Sequence, residues 1–590
     1  MNNEYYYSDI VDRTAGEANI VSEAQMVDAF RNNKKEKETV YDVAESLAWG
    51  FAENQENVEY GWGGWYGPCF IMSTGDGMVS VSPHKKYVTD EVYSYWSKRA
   101  EQVSHPLLIN RYYDLLIDFA DTEDQRKKIY SYADHVINSA IAVSEQRLHK
   151  YGSSIKLQRA LNLANKFNKS KSDFEKIILA ILKYDAERSE DNLPGTWTSA
   201  YDLLLVNGRV RHLTKSQEEE IISRITNRFN DSLQNQQEIK NPTLFEVPGL
   251  RLARYYQRNN ETEKLSEICH LIENAYMNLE KQDTTMYLWN LEQVQRIYSE
   301  FNLRADEQRI VNQISQKQSL ALENLQRIST TVNIDFDKFD QFVEQELLAG
   351  DFYNSIISIE DYFTPKLDEL KESIKRTYSQ APFISMHNIN LLDHDGRKIS
   401  EIGSVEKDVE GRLAYEMKTH ISFQGIFLNR TIEKLFEKYN LSLDSLLETF
   451  SKSPIFDSKR STILREGLNQ YLSKNYIASI SILIPLVENL FMRVLQALGE
   501  PVMLPNKSGG YDYISMGTLL EKRSILISKF GEDRVKYWRV LFTEKAGFNL
   551  RNDFAHGLFI DSSFDYIKAD RILHVLMFFV ILRVDDDCSA

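Results

Sequence analysis

The stretches ILIPLVENLFMRVLQAL at 482–498 and RILHVLMFFVIL at 571–582 are apolar nearly all the way round a helix. A helix with no polar face belongs at the centre of a packed core, so residues 431–590 read as a helical bundle. The spacing around these two predicts helices over 460–474, 477–498, 515–529, 533–543, 549–558 and 564–583, with Gly499 ending the second as a C-cap.

Upstream of the bundle the pattern changes. Over 376–430 the sequence runs Pro382–Leu392, then Asp393-His394-Asp395-Gly396, then Arg397–Gly403, which predicts a β-hairpin at a domain junction. Turn chemistry accounts for Asp393, His394 and Asp395 more simply than a metal cluster does. Residues 136–375 are a succession of amphipathic segments, such as 173–184, 216–230, 262–279, 307–328 and 336–348. In the 262–279 segment Ile268, Ile272, Ala275 and Leu279 follow the rows of one buried face. Helical hairpins stacked as in an α-solenoid satisfy this pattern, although no fixed repeat period is evident. Residues 1–135 are expected to be mostly helical, with a Trp/Gly-rich hairpin turning at Gly75-Asp76-Gly77, and Trp62, Trp65 and Tyr66 read as a packing plug. The expected fold is therefore mainly α: an N-terminal helical domain, a solenoid-like array, a short β-hairpin insertion and a C-terminal bundle.

The 590 residues carry 42% hydrophobic and 26% charged side chains, which excludes disordered, collagen-like and disulfide-scaffold classes. Cys69, Cys269 and Cys588 lie far apart, without zinc-ligand spacing, pointing to a reducing compartment and no structural metal; the neighbours Cys269 and His270 read as a chance pair. The N-terminus lacks a basic, then apolar, leader. The run 572–582 is too short for a bilayer that needs about 20 helical residues, so the expectation is a cytoplasmic protein with no membrane association. A net charge of -16 argues against a general nucleic-acid coat but not against a local site. Residues 521–571 escape this acidity, with ten Lys/Arg against eight Asp/Glu.

That less acidic stretch contains the one motif with chemical content, Gly547-Phe548-Asn549-Leu550-Arg551-Asn552-Asp553-Phe554-Ala555-His556-Gly557. A bare Arg-x4-His occurs by chance in many proteins of this size. Its context is more specific: Arg551 is followed by Asn552, His556 by Gly557, and the segment lies between strongly apolar helices.

On these residues the sequence resembles the HEPN superfamily, and more closely its RN-x3-HG family (domain of unknown function 4209). The resemblance covers roughly 430–590, including Ile484-Pro485-Leu486-Val487-Glu488-Asn489 and Gly517-Thr518-Leu519-Leu520. Asp395-Gly396 and the segment 104–111 look like the upstream parts that accompany such a domain. The resemblance implies metal-independent RNA cleavage by a homodimer formed through the C-terminal bundle, in defence or toxin settings, with no cofactor.

The residue chemistry is compatible with that implication. Cleaving RNA without a metal requires deprotonating a ribose 2′-hydroxyl, stabilising phosphate charge and protonating the leaving 5′-oxygen. His556 exchanges protons near neutrality, and Arg551 offers fixed donors to phosphate oxygens. On a helix Arg551, Asn552 and His556 fall within an arc of about 140°, so one cleft is expected to receive all three. One motif supplies one histidine, whereas acid and base act on opposite sides of phosphorus, so a second copy of the chain is expected at the site. Asn552 is expected to orient the imidazole or bind ribose, or alternatively to cap a helix.

Glu488, the one carboxylate of a largely apolar helix, is expected to support the site by pairing with Arg551 or another cation, and Gly557 belongs to the same motif. Asp553 is left out of the chemistry, and His574 reads as a core histidine. Tyr511 and Tyr513 stack a base only if their glycine-containing loop borders the cleft. The expected function is an endoribonuclease with RNA as substrate, regulated by its N-terminal helical region or by a protein partner. The alternatives are a non-catalytic protein- or nucleotide-binding HEPN scaffold, and a solenoid adaptor in which the motif only caps a helix.

Overall fold

The computed structural model describes residues 6–16, 24–34, 38–53, 62–73, 79–149, 152–187, 197–234, 241–279, 284–322, 331–381, 387–405 and 407–582. The chain is mainly helical, and the strands among the described residues form only two-stranded antiparallel ribbons. It divides into two compact units, Met1–Lys317 and Gln318–Ala590.

In the first unit the long helices pack on their successors. Pro106–Asp118 lies on Glu123–Glu145, which lies on Ser153–Lys166 and so to Lys171–Glu187; Lys215–Gln234, Thr243–Arg258, Thr262–Met277 and Thr284–Glu300 continue in the same manner. Three turns of this unit share a local cause. Asn168, Asn260 and Asn302 have φ of 47°, 59° and 57°. After each, the next amide returns to an earlier carbonyl: Lys169 N to Ala164 O at 3.0 Å, Glu261 N to Tyr256 O at 2.9 Å, Leu303 N to Tyr298 O at 2.9 Å. Asparagine tolerates this left-handed step, which closes the last helical carbonyls and starts the next helix within a few residues.

The aromatic cluster of this unit is core. Trp62, Trp65 and Tyr66 are buried, and the Arg111 guanidinium lies 4.6 Å from the Tyr66 ring centre. Arg111, fully buried, donates to the carbonyls of Ala48 and Phe51, both at 2.6 Å, so the 104–111 segment ends in a packing residue. The Gly75-Asp76-Gly77 turn lies outside the described residues, while its flanks pair as Phe70–Ser73 antiparallel to Val79–Ser82.

The second unit is built round the two apolar helices that open the sequence reading. Tyr476–Ala497, the central helix, and Tyr566–Ile581, the terminal helix, pack on each other; Ser461–Leu472 covers the first, and Val409–Tyr439 and Phe352–Phe363 cover the second. By length and apolar composition the central helix also passes for a membrane span, with half of that window buried here. Two divisions differ from the sequence reading. Phe352–Phe363 and Leu367–Gln380, placed in the upstream array on periodicity, bury Ile356, Ile359, Phe363, Leu367 and Leu370 in this second core. Val409–Tyr439 runs unbroken through the expected boundary at 430, so the hairpin Ile389–Leu392/Lys398–Ile402 is an appendage of the bundle rather than the centre of a separate junction. Periodicity marks the buried face of a helix and is silent on which core receives it.

The predicted helix over 515–529 is broken at Lys522 into Met516–Glu521 and Arg523–Phe530. Of the loop expected over 506–513, Tyr511–Tyr513 is a strand, paired antiparallel with Met503–Pro505.

His574 is enclosed in the terminal helix, its Nδ1 3.1 Å from the Tyr537 hydroxyl and its Nε2 3.2 Å from Glu360 O. The carbonyl requires an Nε2–H donor, leaving Nδ1 to accept from Tyr537, so the ring is neutral. Burial, with the Arg571 charge beside it, lowers its pKa to about 3. A histidine with a depressed folded pKa contributes stability above its unfolded pKa of about 6.5, and that stability is lost as pH falls from there toward the folded value. Between pH 7 and pH 5 the loss is about 2 kcal/mol. Asp570 runs the other way: burial lifts its carboxyl to about 6, so stability lost above that value is regained on acidification. Urea unfolding of wild type and His574→Gln at both pH values isolates the histidine, with wild type expected to lose about 2 kcal/mol more than the variant. Equal losses would rule out a neutral buried His574.

Candidate functional site

The motif begins where the helix Glu532–Phe542 ends. Gly547 is buried against that helix, and Phe548 N donates to Val540 O at 2.8 Å, fixing the entry to the motif. Asn549 then takes φ 52° at the N-cap of a short helix, Leu550–Ala555, the motif helix. Its amide nitrogen donates to Asp553 Oδ1 at 2.7 Å. The helix is shorter than the predicted 549–558 because Gly557 has φ 67° and terminates it: Leu558 N returns to Asp553 O at 2.8 Å and Gly557 N to Phe554 O at 3.1 Å. Gly557 is therefore a helix-ending residue, and it leaves His556 exposed at the C-cap.

The structure separates the three expected catalytic residues into two directions. Asn552 and His556, about 40° apart on a helical wheel, line one pocket of about 450 Å³. Arg551 is not part of that lining. Its Nε and one terminal nitrogen pair with the two Glu488 oxygens at 3.0 and 3.1 Å, on the central helix. The expectation that one cleft receives all three is thus corrected: Arg551 lies about 140° round from His556, and the part-buried Glu488 carboxylate on that side captures it. Its remaining nitrogen is 3.5 Å from Asn552 Oδ1, the one link back to the pocket side.

Glu488 has a second task. Its Oε1 accepts from Met516 N at 2.9 Å, so one carboxylate joins the motif helix to the start of Met516–Glu521. With Glu488 15% and Arg551 25% exposed, the pair is largely desolvated, and each partner needs the other. Asn552 donates to Asn549 Oδ1 at 2.8 Å and to Thr543 O at 3.4 Å; these bonds pin the motif helix to the preceding loop.

The opposite wall of the pocket is the 389–402 hairpin. Arg397, Lys398 and Ile399 face Asn552 and His556, and Lys545 lines the pocket from the loop before the motif. A second cavity of about 230 Å³ shares Arg397, Ile399, Asp553 and Leu558 with the first and continues toward Lys568. The hairpin turn is an Asx turn: Asp393 Oδ1 accepts from Asp395 N at 3.0 Å and Arg397 N at 2.8 Å. Its other oxygen accepts from Arg397 Nε at 2.8 Å, and Lys398 Nζ donates to Glu401 at 2.6 Å.

Asp553, which the sequence reading set aside as solvent-facing, is half-buried in this pocket. Burial raises its pKa, against the pull of the Asn549 amide and of Arg397 and Lys418. Burial in turn lowers Lys418, whose ammonium is 5.9 Å from the Phe548 ring centre. Tyr511 and Tyr513 are 70% and 64% exposed on their ribbon and line neither cavity. Sequence reasoning missed Arg397, Lys398 and Lys545. The only signal was the basic balance near the motif, and nothing local tells which basic residues converge. Among the described residues no group of three or more His, Cys, Asp or Glu is placed to hold a metal ion. Compared with family models, curated proteins and solved structures, the chain matches none.

Proposed function

We propose that the pocket at His556 cleaves RNA by transesterification without a metal ion. The observation that carries this reading is an exposed histidine sharing a pocket with two amides, three cationic side chains and one carboxylate, Asp553. In the reaction the ribose 2′-oxygen loses its proton to a base and attacks phosphorus, the bond to the 5′-oxygen breaks, and that oxygen takes a proton from an acid. The products are a 2′,3′-cyclic phosphate and a 5′-hydroxyl, with atoms and protons balanced. His556 serves one of the two proton transfers. Asn552, rigidly held through its NH₂ group, keeps its carbonyl oxygen toward Arg551.

The second transfer needs another group. A second copy of the chain, docked through the C-terminal bundle, supplies another His556 to the cleft. A second reading, a HEPN-type bundle that binds RNA or nucleotide without cutting it, is favoured by one observation: the Arg551 charge is already spent on Glu488.

One assay separates the two. The full-length protein is incubated with single-stranded RNA in EDTA and the product ends are analysed. Cleavage is expected, with cyclic phosphate or its hydrolysis product on one side and 5′-hydroxyl on the other. Activity abolished by EDTA and restored by Mg²⁺, or 5′-phosphate ends, would sink the mechanism; binding with no cleavage would favour the scaffold.

A further inference from the structure

The pocket at His556 has an asymmetry of charge that the motif alone does not explain. Arg551, the arginine the motif offers for phosphate, is turned away and neutralised by Glu488. Of the cations that do line the pocket, Arg397 is paired with Asp393 and Lys398 with Glu401. Lys545 is exposed, and among the described residues it is the cation lining the pocket with neither a hydrogen bond nor a carboxylate partner. It stands two residues before Gly547, on the loop whose exit is tied to Val540, so its backbone is anchored while its ammonium is free.

Asp553 is the one carboxylate of the lining, set against three cations, and an unpaired ammonium in a concave site beside a histidine is a ready point charge for a phosphate oxygen. Arg397 can add to it. Its guanidinium is 47% exposed, which screens the pair with the 15% exposed Asp393, and that carboxylate keeps its two backbone donors if the guanidinium swings to an anion.

We propose that Lys545 is the phosphate-binding residue of this pocket, and that Arg397 on the 389–402 hairpin is its second arm. The ligand is a phosphodiester of single-stranded RNA, held between motif and hairpin; the proposal rests on the reading above for that identity, while the anion site itself follows from the pocket. The hairpin is then part of the binding site and not only a decoration of the bundle. Arg551, in this arrangement, positions the motif helix through Glu488 while Lys545 meets the substrate.

The test uses the full-length protein and a short 2′-O-methyl RNA oligonucleotide, which has no 2′-hydroxyl to attack and so reports binding alone. Binding is titrated over a range of salt concentrations for wild type, Lys545→Gln, Lys545→Arg and Arg397→Gln. Lys459→Gln, an exposed lysine of the same unit outside the pocket, controls for simple loss of charge. Lys545→Gln is expected to weaken binding about tenfold and to reduce the slope of log affinity against log salt by about 0.7, the release of one counterion from a single strand. Lys545→Arg should bind nearly as wild type, and Arg397→Gln should weaken binding by a smaller factor.

The proposal is overturned if Lys545→Gln binds like wild type, if Lys459→Gln loses as much as Lys545→Gln, or if wild type shows no salt-dependent binding. The unmodified RNA of the same sequence, run in parallel, tells the two ideas apart. Lys545-dependent binding without cleavage keeps the phosphate site and removes the nuclease. Cleavage that proceeds unchanged in Lys545→Gln keeps the nuclease and removes this role for Lys545.

Discussion

His556→Ala should lower RNA cleavage by about 10³-fold while leaving the fold in place, because general acid–base catalysis by a positioned histidine contributes about 10²- to 10⁴-fold. The side chain is exposed at the end of the motif helix and takes no part in the core, so the expected change in stability is within about 0.5 kcal/mol. Arg551→Ala makes the informative contrast. It strips Glu488 of its cation in a largely desolvated position, leaving the carboxylate one backbone donor from Met516, and should cost about 2 kcal/mol in urea unfolding. Loss of activity in that variant therefore reports displacement of the motif helix together with any direct role, whereas loss in His556→Ala reports chemistry. An excess of His556→Ala subunits, mixed with wild type under exchange, should depress activity below simple dilution if two copies share a cleft. A His556→Ala enzyme that retains full cleavage would end the nuclease reading.

Gly547→Ala should be the most damaging small substitution near the site. A Cβ at this position would sit 2.1 Å from the Val540 carbonyl oxygen and 2.8 and 2.9 Å from Val540 C and Cα. All three are backbone atoms of the Glu532–Phe542 helix, so no rotamer change relieves the clash and the chain has to move. The bond from Phe548 N to Val540 O would be lost with that movement. The expected cost is on the order of 4 kcal/mol, with the motif displaced and activity reduced in proportion. Gly557→Ala supplies the control: the space there is open, and only the left-handed φ of 67° opposes a side chain, at about 1 kcal/mol. Urea midpoints for the two variants measure the difference directly, and a Gly547→Ala protein as stable as Gly557→Ala would contradict the close approach.

Several features of this molecule are written locally in its sequence. The apolar circumference of 482–498 and 571–582 requires helices at the centre of a core, and both are there. A carboxylate within the first of them requires a cation, and Glu488 has Arg551. Asp393 and Gly396 specify a turn, and the turn forms, with Gly396 at φ 81°. The helical period and the turn are decided by residues a few positions apart, and so is the need of Glu488 for a cation, while the cation that meets it stands 63 residues away.

The composition of the site was decided at longer range. The helical period that keeps Arg551, Asn552 and His556 within an arc of about 140° puts Arg551 at the edge far from His556, and which side faces the cleft depends on a helix more than 60 residues earlier. Arg397 and Lys545 share a pocket because a hairpin some 150 residues upstream lies against the motif. Likewise, helices 352–363 and 367–380 join the second core because their apolar faces fit it, not because any residue within them names that partner. Hydrophobic burial is non-directional: it tells a segment what to hide but not against what, so the sequence alone determined the long apolar helices and their buried faces, and only tertiary packing decided which charged side chains meet at His556.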